Sequence, residues 1–214
     1  MRILGVLVCY ALSLMLPVNA TVQHAAAAEA VANGVFLVAT RDIRDPNFKE
    51  SVVLITQPQG SGPVGVIINR PLAHRVSALF PGNEALQGRD DVVYFGGPVA
   101  RQELVFLVRS NQAPPRAARV LNDVYFTSDA AWIDGMLRRA DPRQALRVYA
   151  GYTGWALGQL QNEIARGGWH VVPADPATVF EKDSATIWPE LIKRATQHMT
   201  RSPGPNPMRA AAYR

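Results

Sequence analysis

The chain has one cysteine in 214 residues, Cys9, and it lies inside the first apolar stretch. Removal of that stretch leaves no thiol, which excludes disulfides, cysteine nucleophiles and thiolate metal sites together. The preceding Val8 is too large for the small residue expected before a lipidated cysteine. Tryptophan is absent before position 132. The catalytic patterns are missing too: no Gly-x-Ser-x-Gly elbow, no His-Glu-x-x-His helix and no glycine loop followed by Lys-Ser or Lys-Thr. His24, His74, His170 and His198 are scattered without metal-ligand spacing, so neither a metal nor a cofactor is expected. Asp42 and Asp45 are near neighbours that suit either a cation or a solvated turn.

Excess charge is also absent from most of the chain. The 22 Lys and Arg exceed the 17 Asp and Glu by the five basic residues that follow Glu190, so the chain is formally neutral up to that point. Direct nucleic-acid binding, which needs a basic surface, is not expected. From Arg201 the sequence RSPGPNPMRAAAYR supports neither helix nor ladder, and residues 201–214 read as a disordered basic tail. Such a tail either solubilises the chain or makes weak, salt-sensitive contact with an anionic membrane surface.

What is present begins with Arg2 and the apolar run Ile3 to Val18, closed by Asn19-Ala20, with no further charge until Glu29. This is the layout of a signal peptide over residues 1–20, with alternative cleavage sites as late as Ala28. It places the mature chain in the periplasm or outside the cell. An uncleaved anchor is one alternative; a true start further downstream, leaving the chain cytoplasmic, is the other. Residues 21–33 read as a flexible linker.

From Gly34 onward the composition, 48% hydrophobic and 18% charged over the whole chain, suits one compact core. Short continuous apolar runs predict strands at Gly34–Ala39, Ser51–Thr56, Val64–Ile68, Val92–Phe95, Leu104–Val108, Val124–Phe126, Ala145–Ala150 and Trp169–Val172. The run Gln57 to Pro63 reads as a hairpin loop, and Gly96-Gly97-Pro98 as the turn joining another strand pair. Ser128 is the expected cap of a helix bearing Ile133, Met136, Leu137 and Ala140, ended by Asp141-Pro142. A second helix follows Gly154 with Leu157, Leu160 and Ile164 on one side, stopped at Gly167-Gly168. Pro189 suits the first turn of a last helix with Leu191, Ile192 and Ala195 inward. Hairpins early and alternation later predict a mixed, mostly antiparallel sheet with flanking helices in an α+β domain spanning residues 34–200.

The stretches FLVAT at Phe36, DPNFKESVVLI at Asp45, GVIINRPL at Gly65, YFGGPV at Tyr94 and AGYTGWALGQLQNEI at Ala150 resemble the YqgE/AlgH family in order and over nearly the whole domain. The resemblance implies a mixed α/β fold and no established biochemical activity. The family's label as transcriptional regulators brings no DNA-reading motif with it. Two departures stand out: the export-like leader, and Ile55-Thr56-Gln57 where relatives often carry Cys-Glu-His, so no role resting on those groups transfers.

The candidate ligand-binding residues are Asn69, Arg70, Gly96, Gly97, Tyr152, Gly154, Trp155 and Gln159. A strand feeding a glycine turn and a helix offers free amides to a phosphate or carboxylate, with Tyr152 and Trp155 as walls. Equally, Gly151, Gly154 and Gly158 suit close packing of helix on sheet. Arg70 can grip an anion by two parallel hydrogen bonds, or tie a loop through its carbonyls. Gly96-Gly97 suits close ligand approach or a plain tight turn. The leading expectation is a non-catalytic binding or regulatory module whose partner is a small anionic ligand or a protein. An enzyme clamping an anionic substrate with Arg70 is the alternative, and transcriptional regulation a weaker third.

Overall fold

The computed structural model describes residues 34–56, 62–87, 89–139 and 145–201. The leader, the linker, the loop at 57–61, the predicted stop at Asp141-Pro142 and the tail beyond Arg201 lie outside the described residues.

Among the described residues ten strands form one sheet: β1 (Val35–Ala39), β2 (Val52–Thr56), β3 (Val64–Ile67), β4 (Pro71–Arg75), β5 (Val92–Phe95), β6 (Val99–Arg109), β7 (Ala118–Arg119), β8 (Val124–Thr127), β9 (Ala145–Gly154) and β10 (Trp169–Pro173). The main path runs β10-β1-β2-β3-β9-β6-β8-β7, with β4 and β5 branching from it. Every pairing is antiparallel except β5 with β9, so the expected mixed, mostly antiparallel sheet is what forms. Among the described residues four α-helices flank it: α1 (Ala130–Arg138), α2 (Gln159–Ala165), α3 (Pro176–Phe180) and α4 (Ser184–Arg201).

The continuous apolar runs of β1 and β2 follow from cover on both faces. Because side chains alternate along a strand, Phe36, Val38, Val52 and Leu54 pack with Val179 of α3 and with Ile187, Leu191 and Ala195 of α4. Leu37, Ala39, Val53 and Ile55 face the other way, onto Trp155, Trp169 and Leu160 of α2. A separate cluster joins Phe106, Val108 and Val148 to Ile133, Met136 and Leu137 of α1.

Several local expectations are corrected. Asp129, not Ser128, caps α1, accepting from the Trp132 amide at 2.9 Å. Helix α4 begins at Ser184, one turn before the predicted start, so Pro189 is interior; Asp183, which accepts from the Ala185 amide, supplies the earlier start. Leu157 precedes α2 and is 78% exposed instead of inward. The largest correction concerns Gly96-Gly97-Pro98, which is no hairpin turn. β9 lies between β5 and β6, so the chain leaving β5 crosses over β9 before returning as β6. At the crossing a Cβ on Gly96 would sit 2.1 Å from the Gly151 carbonyl oxygen, and one on Gly97 would sit 2.3 Å from that of Tyr152. Only glycine permits two backbones to pass so closely.

Candidate functional site

The crossing fixes the geometry next to it. β9 continues through Gly151-Tyr152-Thr153-Gly154, a segment that the sequence reading treats as a turn, and α2 starts only at Gln159. The chain between them seats Trp155 against β3, its amide donating to the Pro63 carbonyl at 3.0 Å. Two amides of the proposed anion cradle are spent internally: Ala156 N–H donates to Gln159 Oε1 at 3.1 Å and Gln159 N–H to the Ala156 carbonyl at 3.0 Å. Gly96 N–H is likewise taken by the Ala150 carbonyl at 2.9 Å.

Arg70 takes the loop-tying role. Its Nη1 donates to the Pro46 carbonyl at 2.8 Å and its Nη2 to that of Lys49 at 2.6 Å. Partial burial lowers its pKa from the ordinary arginine value, opposed by Asp45 and Glu50. Asn69 acts beside it, accepting from the Val52 amide at 2.9 Å and donating to the Glu50 carbonyl at 3.0 Å. Asp45 completes the brace as a turn residue, its Oδ1 accepting from the Asn47 amide at 2.8 Å. Together these bonds fix the 45–50 loop, and with it Phe48.

Phe48 belongs to a cleft of about 580 Å³ between the loop after β1, the start of β6, the end of β9 and α2. That volume is in the range of small-molecule sites, roughly 300–1,000 Å³. Its aromatic wall consists of Phe48, Trp155 and Trp169. Trp169 meets Phe48 edge-on at 5.7 Å between ring centres and Trp155 edge-on at 6.3 Å. Both indoles are well buried, Trp155 at 7% exposure and Trp169 at 5%. Their ring N–H groups converge on one oxygen, Glu163 Oε2, at 3.0 and 2.9 Å. Gln159 Nε2 donates to the other oxygen of Glu163 at 3.0 Å. One carboxylate thus sets the orientation of two walls and ties them to α2. Exposed Asp42, Asp45, Arg44 and Arg166 lie around the same cleft, and Val99 presents an apolar edge at 38% exposure.

Of the residues proposed from sequence, Gly154, Trp155 and Gln159 line this cleft. Asn69 and Arg70 hold the loop that carries Phe48, Gly96 and Gly97 form the strand crossing, and half-buried Tyr152 packs against the core that faces α4. Phe48, Glu163 and Trp169 are the residues that sequence reasoning missed. The available signal was Glu163 four residues after Gln159, which puts both on one helix face. Among the described residues no group of three or more His, Cys, Asp or Glu is placed to hold a metal ion.

A model of the AlgH-like family matches residues 36–200. A UPF0301 protein of Streptomyces avermitilis is 33% identical over 166 residues, covering 75% of this chain and 85% of its own. One of Mycobacterium tuberculosis is 33% identical over 177 residues, covering 79% and 85%. Among solved structures, a crystal structure of a Corynebacterium diphtheriae protein aligns with a TM-score of 0.64 at 26% identity, over 83% of this chain and 90% of that one. The solution structure of AlgH from Pseudomonas aeruginosa aligns at 0.62 and 24% identity, over 81% and 95%, a likeness of fold. With the family's pattern running from the first strand to the end of the last helix, the chain belongs to the AlgH-like family, whose activity is not established.

Proposed function

We propose that this chain is a non-catalytic binding module and that its ligand occupies the cleft walled by Phe48, Trp155 and Trp169. The observation that carries the reading is the convergence of both indole N–H groups on Glu163. It holds large apolar surfaces in fixed orientation beside an accessible volume, the pre-organisation that a binding site needs. The donors spent at Ala156, Gln159 and Arg70 count against an anion-clamping enzyme at this place. Export through the leader is part of the proposal, and the N-terminal residue of the native protein tests that part.

A cleft-filling substitution tests the reading. Val99 is partly exposed on the rim, so Val99→Trp should leave thermal stability within about 0.5 kcal/mol of the parent. A thermal-shift screen of metabolites against parent and variant should give hits on the parent alone, since a ligand at a hundred times its Kd adds about 2.7 kcal/mol. Hits that persist in Val99→Trp would place binding elsewhere.

A further inference from the structure

The charges around the cleft divide into a rim and an interior. Asp42 and Asp45 oppose Arg44 and Arg166 on the rim, all exposed to solvent, where their fields cancel and are screened. The interior holds a single ionisable group, half-buried Glu163. Its partners are two indoles and a side-chain amide, all neutral donors. Among the described residues no ion pair involves it. The walls are uncharged aromatic rings and leave that charge unopposed. Apart from Arg44 and Arg166 on the rim, donors that would welcome an anion are engaged here: the indole N–H groups by Glu163, and the Gly167 and Gly168 amides by the Ile164 and Glu163 carbonyls at 2.9 and 3.0 Å.

Building on the proposed binding role, we infer that the cleft selects a small organic cation, a guanidinium or substituted ammonium on a short apolar body. The apolar part rests on the rings and the charge answers Glu163. This reverses the sign of the ligand expected from the glycine-rich sequence block. A volume of about 580 Å³ suits a free small molecule.

Calorimetric titration of the full chain with butylguanidinium, neutral pentanol, butyrate and an Ala-Arg-Ala peptide tests this. Butylguanidinium should bind about tenfold tighter than pentanol, the size of a partly desolvated cation–π and carboxylate contribution. Butyrate should bind more weakly than either. Glu163→Gln keeps an acceptor oxygen for both indoles and gives up only the exposed bond from Gln159, so it should fold, shown by thermal unfolding, while the preference falls to within about threefold. Equal affinity for butylguanidinium and pentanol would overturn the cation inference and leave the cleft reading standing. Preference for butyrate, binding of the peptide alone, or a preference retained in Glu163→Gln would also overturn it. No binding by any probe would overturn both.

Discussion

Replacing Glu163 with leucine keeps the bulk of the side chain and removes both oxygens, and the structure fixes what that costs. Two indole N–H groups, on residues only 7% and 5% exposed, lose their acceptor at once. A buried donor left without a partner costs about 1–3 kcal/mol. Water reaching the cleft partly satisfies them, so the sum should fall near 2–4 kcal/mol. Glu163→Gln, which retains an acceptor, should cost about 1 kcal/mol or less. Against the usual stability of about 5–15 kcal/mol, the leucine variant remains folded but visibly weakened. Urea unfolding followed by circular dichroism reads the difference as a shift in midpoint at constant slope. If Glu163→Leu unfolds within about 0.5 kcal/mol of the parent, the carboxylate is not what holds the two rings, and the reasoning fails.

Tyr149 is fully buried and its hydroxyl has no partner among the described residues, with burial raising its pKa. Tyr149→Phe should therefore stabilise the fold by about 1 kcal/mol in the same assay; destabilisation of similar size would reveal a bound water at the hydroxyl. Gly97→Ala forces a methyl to within 2.3 Å of the Tyr152 carbonyl oxygen, and should cost about 3 kcal/mol or more or abolish soluble expression; near-parent stability would contradict the crossing geometry. The Asn83 amide, at 2.7 Å, and then Arg138 hold the Asp134 carboxyl below its ordinary range. A depressed carboxyl contributes stability that is complete above its unfolded value, about 3.9, and lost as pH falls through the lower folded value. Asn83→Ala should thus differ most from the parent at neutral pH, and the difference should start to shrink below about pH 4 and be least once the pH is under the folded value; a difference independent of pH would refute the pairing.

Strands were legible where burial wrote them into the sequence. Phe36-Leu37-Val38-Ala39 and Val52-Val53-Leu54-Ile55 are apolar at every position because helices or rings cover both faces. Pairing was not legible, since nothing local announces that β9 slides between β5 and β6. The glycines of that crossing resemble turn glycines, because both uses exploit the missing side chain. The cleft was legible only in part. Trp155, Gln159 and Glu163 lie in one conspicuous block, but Phe48 and Trp169 come from a loop and a strand start that only the fold brings to it. A lone glutamate on a short amphipathic helix reads as a solvated face, and its role appears only once two indoles are found pointing at it.

The most direct measurement is an NMR titration of the four indole N–H signals of the chain with butylguanidinium. Trp155 and Trp169 should move together and saturably while Trp132 and Trp188, outside the cleft, stay fixed. Saturable movement of Trp132 or Trp188 with the cleft pair unchanged, or no movement of any indole, would contradict binding at this site.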